Sequence, residues 1–184
     1  MRPPISGVVR RPLEATAGVV AAVARWWALC GGAVILGLVL LTATSVVRDM
    51  LWRAPIPGDF ELVQVCCAVA VFSFLPYCQL QRGNVVVDLF TLRAPAAFKA
   101  TMDALGSLLM LLLALLLLWR MSHGALDYHD PYFPEVTPIL GIPIWMAFPP
   151  ILVSLLLWAA ASLVTLLEDL GALPPHARHE GGPE

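Results

Sequence analysis

Residues 102–121 read MDALGSLLMLLLALLLLWRM, and every residue from Leu108 to Trp119 is apolar. A helix of roughly 20 such residues crosses the hydrocarbon core of a bilayer, which is about 30 Å thick. Three more blocks have this character, at residues 27–47, 60–80 and 144–167. None carries Asp, Glu, Lys or Arg in its middle, where a charge would be costly. The sequence therefore predicts an all-α integral membrane protein with four transmembrane helices.

The overall composition indicates the same class. The chain has 184 residues, of which 59% are hydrophobic and 13% are charged, whereas soluble domains average about 45–50% and 25%. The net charge is −2, and no long basic run favours nucleic acid as a partner. We expect membrane lipids to surround the chain.

The basic residues predict the orientation, because cytoplasmic loops carry an excess of Lys and Arg. Eight of them precede the first block or follow the second or fourth, and three lie on the other side: Arg2, Arg10, Arg11, Arg25, Arg82, Arg93, Lys99 and Arg178, against Arg48, Arg53 and Arg120. Both termini are therefore expected in the cytoplasm. Residues 1–26 form a lead-in, 27–167 a membrane domain and 168–184 a tail. The first block is too long for a cleaved signal peptide, so we expect it to be retained.

Between the second and third blocks, residues 84–92 predict a short amphipathic helix in the plane of the cytoplasmic interface. Asn84 can cap this helix, and Asn84, Asp88 and Thr91 fall on one polar stripe. The β-branched run at residues 85–87 is weak for helix. An extended segment is the alternative, although lipid disfavours unpaired strand edges.

Three finer expectations concern the helix ends. Asp59 is a candidate N-cap for the second helix, with Glu61 in its first turn. Pro149-Pro150 should kink the fourth helix. Residues 14–25 could form a separate helix on the membrane surface, and the sequence leaves this open.

Residues able to hold a cofactor or metal are poorly placed for it. The four cysteines (Cys30, Cys66, Cys67 and Cys78) lie within or at the edge of apolar blocks and are expected to be buried as small apolar residues. The histidines (His123, His129, His176 and His179) lie near loops or in the tail, whereas a haem would need them at membrane depth. His123, Asp127, His129 and Asp130 lack the fixed spacing of a zinc site. We expect no catalytic, cofactor or metal site, and so no enzyme.

Polar residues inside the blocks are few. Gln64, Ser73 and Gln79 lie in the second block, and they are expected to bond to a neighbouring helix rather than to line a transport path.

Three local patterns occur in a fixed order. The first is Arg48 followed by Pro57-Gly58-Asp59-Phe60-Glu61-Leu62, and the second is residues 82–88, RGNVVVD. The third is residues 137–145, TPILGIPIW. Together with four spans, they resemble the small permease subunit of TRAP transporters (tripartite ATP-independent periplasmic transporters), over about residues 48–167.

The resemblance implies a non-catalytic subunit of the bacterial inner membrane. Such a subunit scaffolds a large permease subunit, on which sodium ions and substrate bind. A periplasmic substrate-binding protein delivers an organic acid, often a carboxylate, for sodium-coupled uptake.

The same resemblance marks positions expected to be structural or to contact a partner: Arg48, Gly58, Glu61, Arg82, Gly83, Asn84, Asp88, Pro138, Pro143 and Trp145. For Arg48 and Glu61 we expect an ion pair at the outer interface; two separate snorkelling or capping groups are the alternative. For Arg82 and Asp88, headgroup contact and helix capping stand beside partner contact.

Two other functions remain possible from sequence. One is the membrane anchor of a respiratory or redox complex, which the lack of membrane-depth histidine disfavours. The other is a small stand-alone transporter, which would need ionisable or broken-helix elements at the midplane.

Overall fold

The computed structural model describes the backbone of residues 7–81, 96–128 and 135–170, and the side chains of residues 14–81, 101–128 and 135–170. These residues form four α-helices: α1 (Gly7–Trp52), α2 (Asp59–Leu80), α3 (Ala96–Asp127) and α4 (Phe148–Asp169). Each includes a stretch long and apolar enough to cross a membrane. The predicted all-α fold with four spans is confirmed for the described part of the chain.

The first helix is much longer than a span requires. α1 has 46 residues, or about 69 Å at a rise of about 1.5 Å per residue. Residues 14–25 continue this helix without a break, so they do not form a separate element. The predicted interfacial helix at 84–92 and the tail beyond residue 170 lie outside the described residues.

The start of the fourth span differs from the prediction. Ile144–Ala147 form one turn of 3-10 helix, and α4 begins at Phe148. Pro149 and Pro150 therefore lie in the first turn of α4. Backbone N–H groups in the first turn have no acceptor within the helix, so a proline there costs no intrahelical hydrogen bond. The prolines start the helix and do not interrupt it.

The fourth helix is the centre of the bundle. α4 packs against α1, α2 and α3, while α1 packs mainly on α2. The apolar core lies between α3 and α4, where Ala114 meets Ile151, Leu155 and Trp158. In its most apolar window 44% of α4 is buried, against 11% for α1 and for α3. α1 and α3 are therefore the edges of the bundle.

Side chains of each of the other helices donate hydrogen bonds to α4. Trp27 Nε1 donates to Ser154 Oγ at 2.8 Å, Gln79 Nε2 to Thr165 Oγ1 at 3.1 Å, and Ser107 Oγ to Asp169 Oδ2 at 2.6 Å. Such bonds between membrane helices contribute about 0.6–2 kcal/mol each. They link α1, α2 and α3 to one common helix.

The helices α1 and α2 approach closely at Gly31. A Cβ atom added there would lie 2.9 Å from Ser73 Cβ and 3.3 Å from the Ala70 carbonyl oxygen. A small residue is needed at this crossing, as is common where membrane helices pack backbone to backbone.

Candidate functional site

The predicted positions that the structure describes lie at one end of the bundle, called here the hairpin end. It contains the α1–α2 loop, residues 135–143 and the beginning of α4. Gly58, Glu61, Pro138, Pro143 and Trp145 all lie there. Arg82, Gly83, Asn84 and Asp88 lie outside the described residues, so their predicted roles stay predictions.

Residues 135–144 form a small hairpin in front of α4. Thr137 N–H donates to the Ile142 carbonyl at 2.9 Å, Ile144 N–H to the Glu135 carbonyl at 3.0 Å, and Val136 pairs with Pro143 in an antiparallel bridge. The turn is closed by Gly141, whose φ of +64° suits glycine. The hairpin is thereby held in one conformation with its tip at residues 138–141.

Glu61 binds the tip of this hairpin. Its Oε1 accepts a hydrogen bond from Ile139 N–H at 2.8 Å, and its Oε2 accepts one from Leu140 N–H at 2.9 Å. The residue is only 7% exposed, and a buried carboxylate requires such partners. It also lies in the first turn of α2, where the helix dipole favours a negative charge. One side chain thus joins α2 to the segment before α4.

Gly58 allows the hairpin to approach α2. It precedes the first residue of α2 and has φ of +79°, in the left-handed region that other residues rarely adopt. A Cβ atom on residue 58 would lie 2.3 Å from Leu140 Cγ. The backbone conformation therefore selects glycine here, and an added Cβ would also require the partly exposed Leu140 side chain to move.

Ser45 connects the end of α1 to the same region. Its hydroxyl donates to Asp59 Oδ2 and accepts from Ile56 N–H at 3.1 Å. Ser45 is 2% exposed, so these bonds are shielded from solvent and lipid. The α1–α2 loop is fixed at both its middle and its end by one hydroxyl group.

Two detailed expectations were wrong in this region. Asp59 is the first residue of α2 and Gly58 is the capping residue, without a side-chain cap; the Asp59 carboxylate instead binds Ser45 and the N–H of Phe60. The expected ion pair is also absent. Arg48 is exposed on the last turns of α1, and within the described residues Glu61 is bound by backbone N–H groups of the hairpin.

The polar residues of α2 behave differently from one another. Gln79 bonds to Thr165 of α4, as expected, whereas Ser73 donates to the Val69 carbonyl of its own helix at 2.8 Å. Gln64 is exposed and makes no hydrogen bond to a described residue.

Sequence inspection missed Ser45, Ser107, Ser154 and Leu140. A buried serine in an apolar helix is a signal for such a bond, because an unpaired hydroxyl is costly there. The sequence carries no signal for Leu140, whose role depends on its contact with Gly58.

Metal-ligating residues do not gather in the described part of the chain. No group of three or more His, Cys, Asp or Glu residues that could hold a metal ion occurs there. The expectation of buried cysteines was wrong for Cys30, Cys67 and Cys78, which are exposed on their helices. The ring nitrogen Nδ1 of His123 lies 2.9 Å from the Trp119 carbonyl oxygen, and its ring packs on the Trp119 indole with centroids 4.9 Å apart. His129 and Asp130 lie outside the described residues.

The hairpin end is built to hold position. The Glu61 and Asp59 carboxylates and the Ser45 hydroxyl are bound by backbone N–H groups or by each other, and they join α1, α2 and the hairpin before α4. A network whose polar groups are satisfied rigidifies the elements it connects.

Comparison with known families gives a match over most of the chain. A family model described as "Tripartite ATP-independent periplasmic transporters, DctQ component" matches residues 37–172. This range includes α2, α3, α4, the hairpin and the last third of α1. Neither the curated proteins nor the solved structures gave a match.

Proposed function

Since the chain belongs to the DctQ component family of tripartite ATP-independent periplasmic transporters, we propose that it is a non-catalytic scaffold for the large permease subunit. The family establishes a small permease component of a tripartite transporter. The proposal adds a division of labour in which cargo and sodium bind to the large subunit.

The observation that carries the scaffold role is the convergence of hydrogen bonds on α4. α1, α2 and α3 are each joined to this helix by a half-buried side-chain bond. At the hairpin end, Glu61 and Ser45 join the loops to the helices. A bundle linked in this way suits a fixed support, because moving one helix would break bonds that lipid cannot replace.

The composition of the spans supports placing the cargo site elsewhere. The apolar blocks at residues 27–47, 60–80, 102–121 and 144–167 carry no Asp, Glu, Lys or Arg in their middle. Transporter sites at the midplane usually have ionisable groups or broken helices. We propose that the substrate is an organic acid carried as its carboxylate and taken up with sodium.

Membership of the same family supports proposals for the partner proteins of the chain and for its location. A periplasmic binding protein delivers the acid to the large subunit, and the chain lies in the bacterial inner membrane. The distribution of Lys and Arg supports cytoplasmic termini under the positive-inside rule. The hairpin end would then face the periplasm.

Reconstitution tests this proposal. Proteoliposomes would contain this chain alone, the large permease subunit of the same transporter alone, or both, each with and without the periplasmic binding protein of that transporter. Uptake of radiolabelled organic acids would be measured with and without an inward sodium gradient. Accumulation is expected only with both membrane subunits, the binding protein and sodium present.

Two results would contradict the proposal. One is uptake by this chain without the large subunit. The other is full uptake by the large subunit and binding protein when this chain is omitted.

A further inference from the structure

One face of α2 remains uncovered in the bundle. Phe60, Gln64, Cys67, Ala68 and Val71 follow one another at helical spacing and are exposed. With Val63 and Phe72 they line an open recess of about 450 Å³. We call the five exposed residues, Phe60, Gln64, Cys67, Ala68 and Val71, the Gln64 face.

The polar group on this face belongs to Gln64, which lies within the candidate membrane span Asp59–Leu80. Gln64 is five residues beyond the first residue of α2, or about 7.5 Å along the helix axis. Its amide makes no hydrogen bond to any residue that the structure describes. Hydrocarbon offers no donor or acceptor, so an amide at this depth favours a polar partner.

The neighbouring side chains suit a helix better than lipid tails. Cys67 and Ala68 are small and lie one turn from Gln64, and small residues let a second helix approach closely. The exposed face of α3 is different, because Leu109, Leu112 and Leu116 are bulky and uniformly apolar. That face offers lipid chains an ordinary surface.

We infer that the Gln64 face docks a transmembrane helix of the large permease subunit, one that presents a Ser, Thr, Asn or Gln side chain to the Gln64 amide. The inference rests on the proposed function, since it takes the partner from the tripartite assembly. It assigns the contact to α2 and leaves the leucine face of α3 to lipid.

Photo-crosslinking in whole cells tests where the partner lies. Benzoylphenylalanine would replace Val71 on the Gln64 face or, as a control, Leu112 on α3; the two are 53% and 55% exposed. Val71 is expected to give a product with the combined mass of this chain and the large subunit, at several times the yield from Leu112. Equal yields, no product at Val71, or a product of two copies of this chain would overturn the inference.

Substitution tests whether the Gln64 amide and the recess contribute to binding. Gln64→Leu should reduce the large subunit that co-purifies in dodecyl maltoside by about three- to tenfold, the effect of one hydrogen bond between membrane helices. Ala68→Trp, which fills the recess, should reduce it at least as much, and Leu112→Trp should leave it unchanged. Each variant chain must elute as a single peak with the wild-type melting temperature when purified alone.

The outcomes distinguish failure of this inference from failure of the proposed scaffold role. If the wild-type chain retains no large subunit, both fail. If the wild type retains it and Gln64→Leu and Ala68→Trp do so equally well, the scaffold role stands and the docking face is wrong.

Discussion

Leu140 lies directly over Gly58, so closely that a Cβ atom on residue 58 would be 2.3 Å from Leu140 Cγ. The contact joins the tip of the hairpin to the first turn of α2. It is made possible by the missing Cβ atom of Gly58, whose backbone is also left-handed, with φ of +79°.

We predict that Gly58→Ala is strongly destabilising, because it combines backbone strain with a steric clash. Strain of this kind costs about 1–3 kcal/mol, and overpacking typically adds about 1–3 kcal/mol. The measurement is the melting temperature of the purified chain in detergent, supported by unfolding in SDS.

Two glycines provide matched controls for that substitution. Gly141 has φ of +64° but no atom within 4 Å of an added Cβ, and Gly37 has neither constraint. Gly141→Ala should show the strain alone, and Gly37→Ala should be neutral or stabilising by up to about 1 kcal/mol. If Gly58→Ala and Gly141→Ala were equally destabilising, the Leu140 contact would contribute nothing.

We predict that Glu61→Gln loosens the hairpin while preserving the size of the side chain. A Gln amide has one oxygen, so one of the two N–H donors at residues 139 and 140 would face an NH₂ group. Losing a hydrogen bond to a charged group costs about 1.5–3 kcal/mol. Hydrogen–deuterium exchange should accelerate at residues 137–142, whereas Glu135→Gln, at an exposed carboxylate, should leave the exchange rates unchanged.

We predict that the stability lost in Glu61→Arg is not restored by adding Arg48→Glu. Arg48 is exposed, and Glu61 is bound to the hairpin backbone. Glu61→Arg should therefore be as destabilising in an Arg48→Glu background as alone, by SDS unfolding, and Arg48→Gln should have little effect. Recovery in the double variant would show that an ion pair forms after all.

We predict that Ser45→Ala releases the α1–α2 loop. The change leaves Ile56 N–H and Asp59 Oδ2 without the hydroxyl that binds both, at a cost of about 1–3 kcal/mol. Limited proteolysis should cut residues 53–58 faster in this variant. Thr44→Val removes a hydroxyl that only binds the Leu40 carbonyl within α1, so the same rate of cleavage in both variants would refute the role of Ser45.

A double-mutant cycle tests the link between α1 and α4. Trp27→Phe and Ser154→Ala should show a coupling of about 0.6–1.7 kcal/mol, the range known for hydrogen bonds between membrane helices. Trp26→Phe paired with Ser154→Ala should show none, because Trp26 is 69% exposed. Zero coupling for Trp27 would remove this hydrogen bond from the scaffold.

The four spans could be predicted because bilayer thickness fixes the length of an apolar helix. The leucine run of α3 and the β-branched and leucine-rich blocks of α1 and α4 satisfy that length directly. The start of α1 could not be predicted from bilayer thickness, which fixes the length of the apolar span and not of the whole helix. The Ala, Val and Arg residues at 14–25 are compatible with helix outside the apolar span.

The hairpin end was only partly predictable. Gly58 and Glu61 were identified as important positions from the sequence. The expected partner of Glu61 was Arg48, because opposite charges can be recognised in a sequence. The backbone N–H groups that bind Glu61 cannot be recognised in this way. The donors at residues 139 and 140 lie 78 and 79 positions away. The turn that aims them at the carboxylate depends on the φ of Gly141 and on the Thr137 pairing with Ile142.

The central place of α4 has a consequence for biogenesis. The ribosome delivers this helix after α1, α2 and α3, when α1 and α2 can already associate through Gly31 and Ser45, whereas α3 finds its main packing partner among the described helices only on α4. Until α4 leaves the translocon, α3 lacks that partner. Truncation before residue 148 should therefore expose α3 to membrane quality control and leave the first two helices paired.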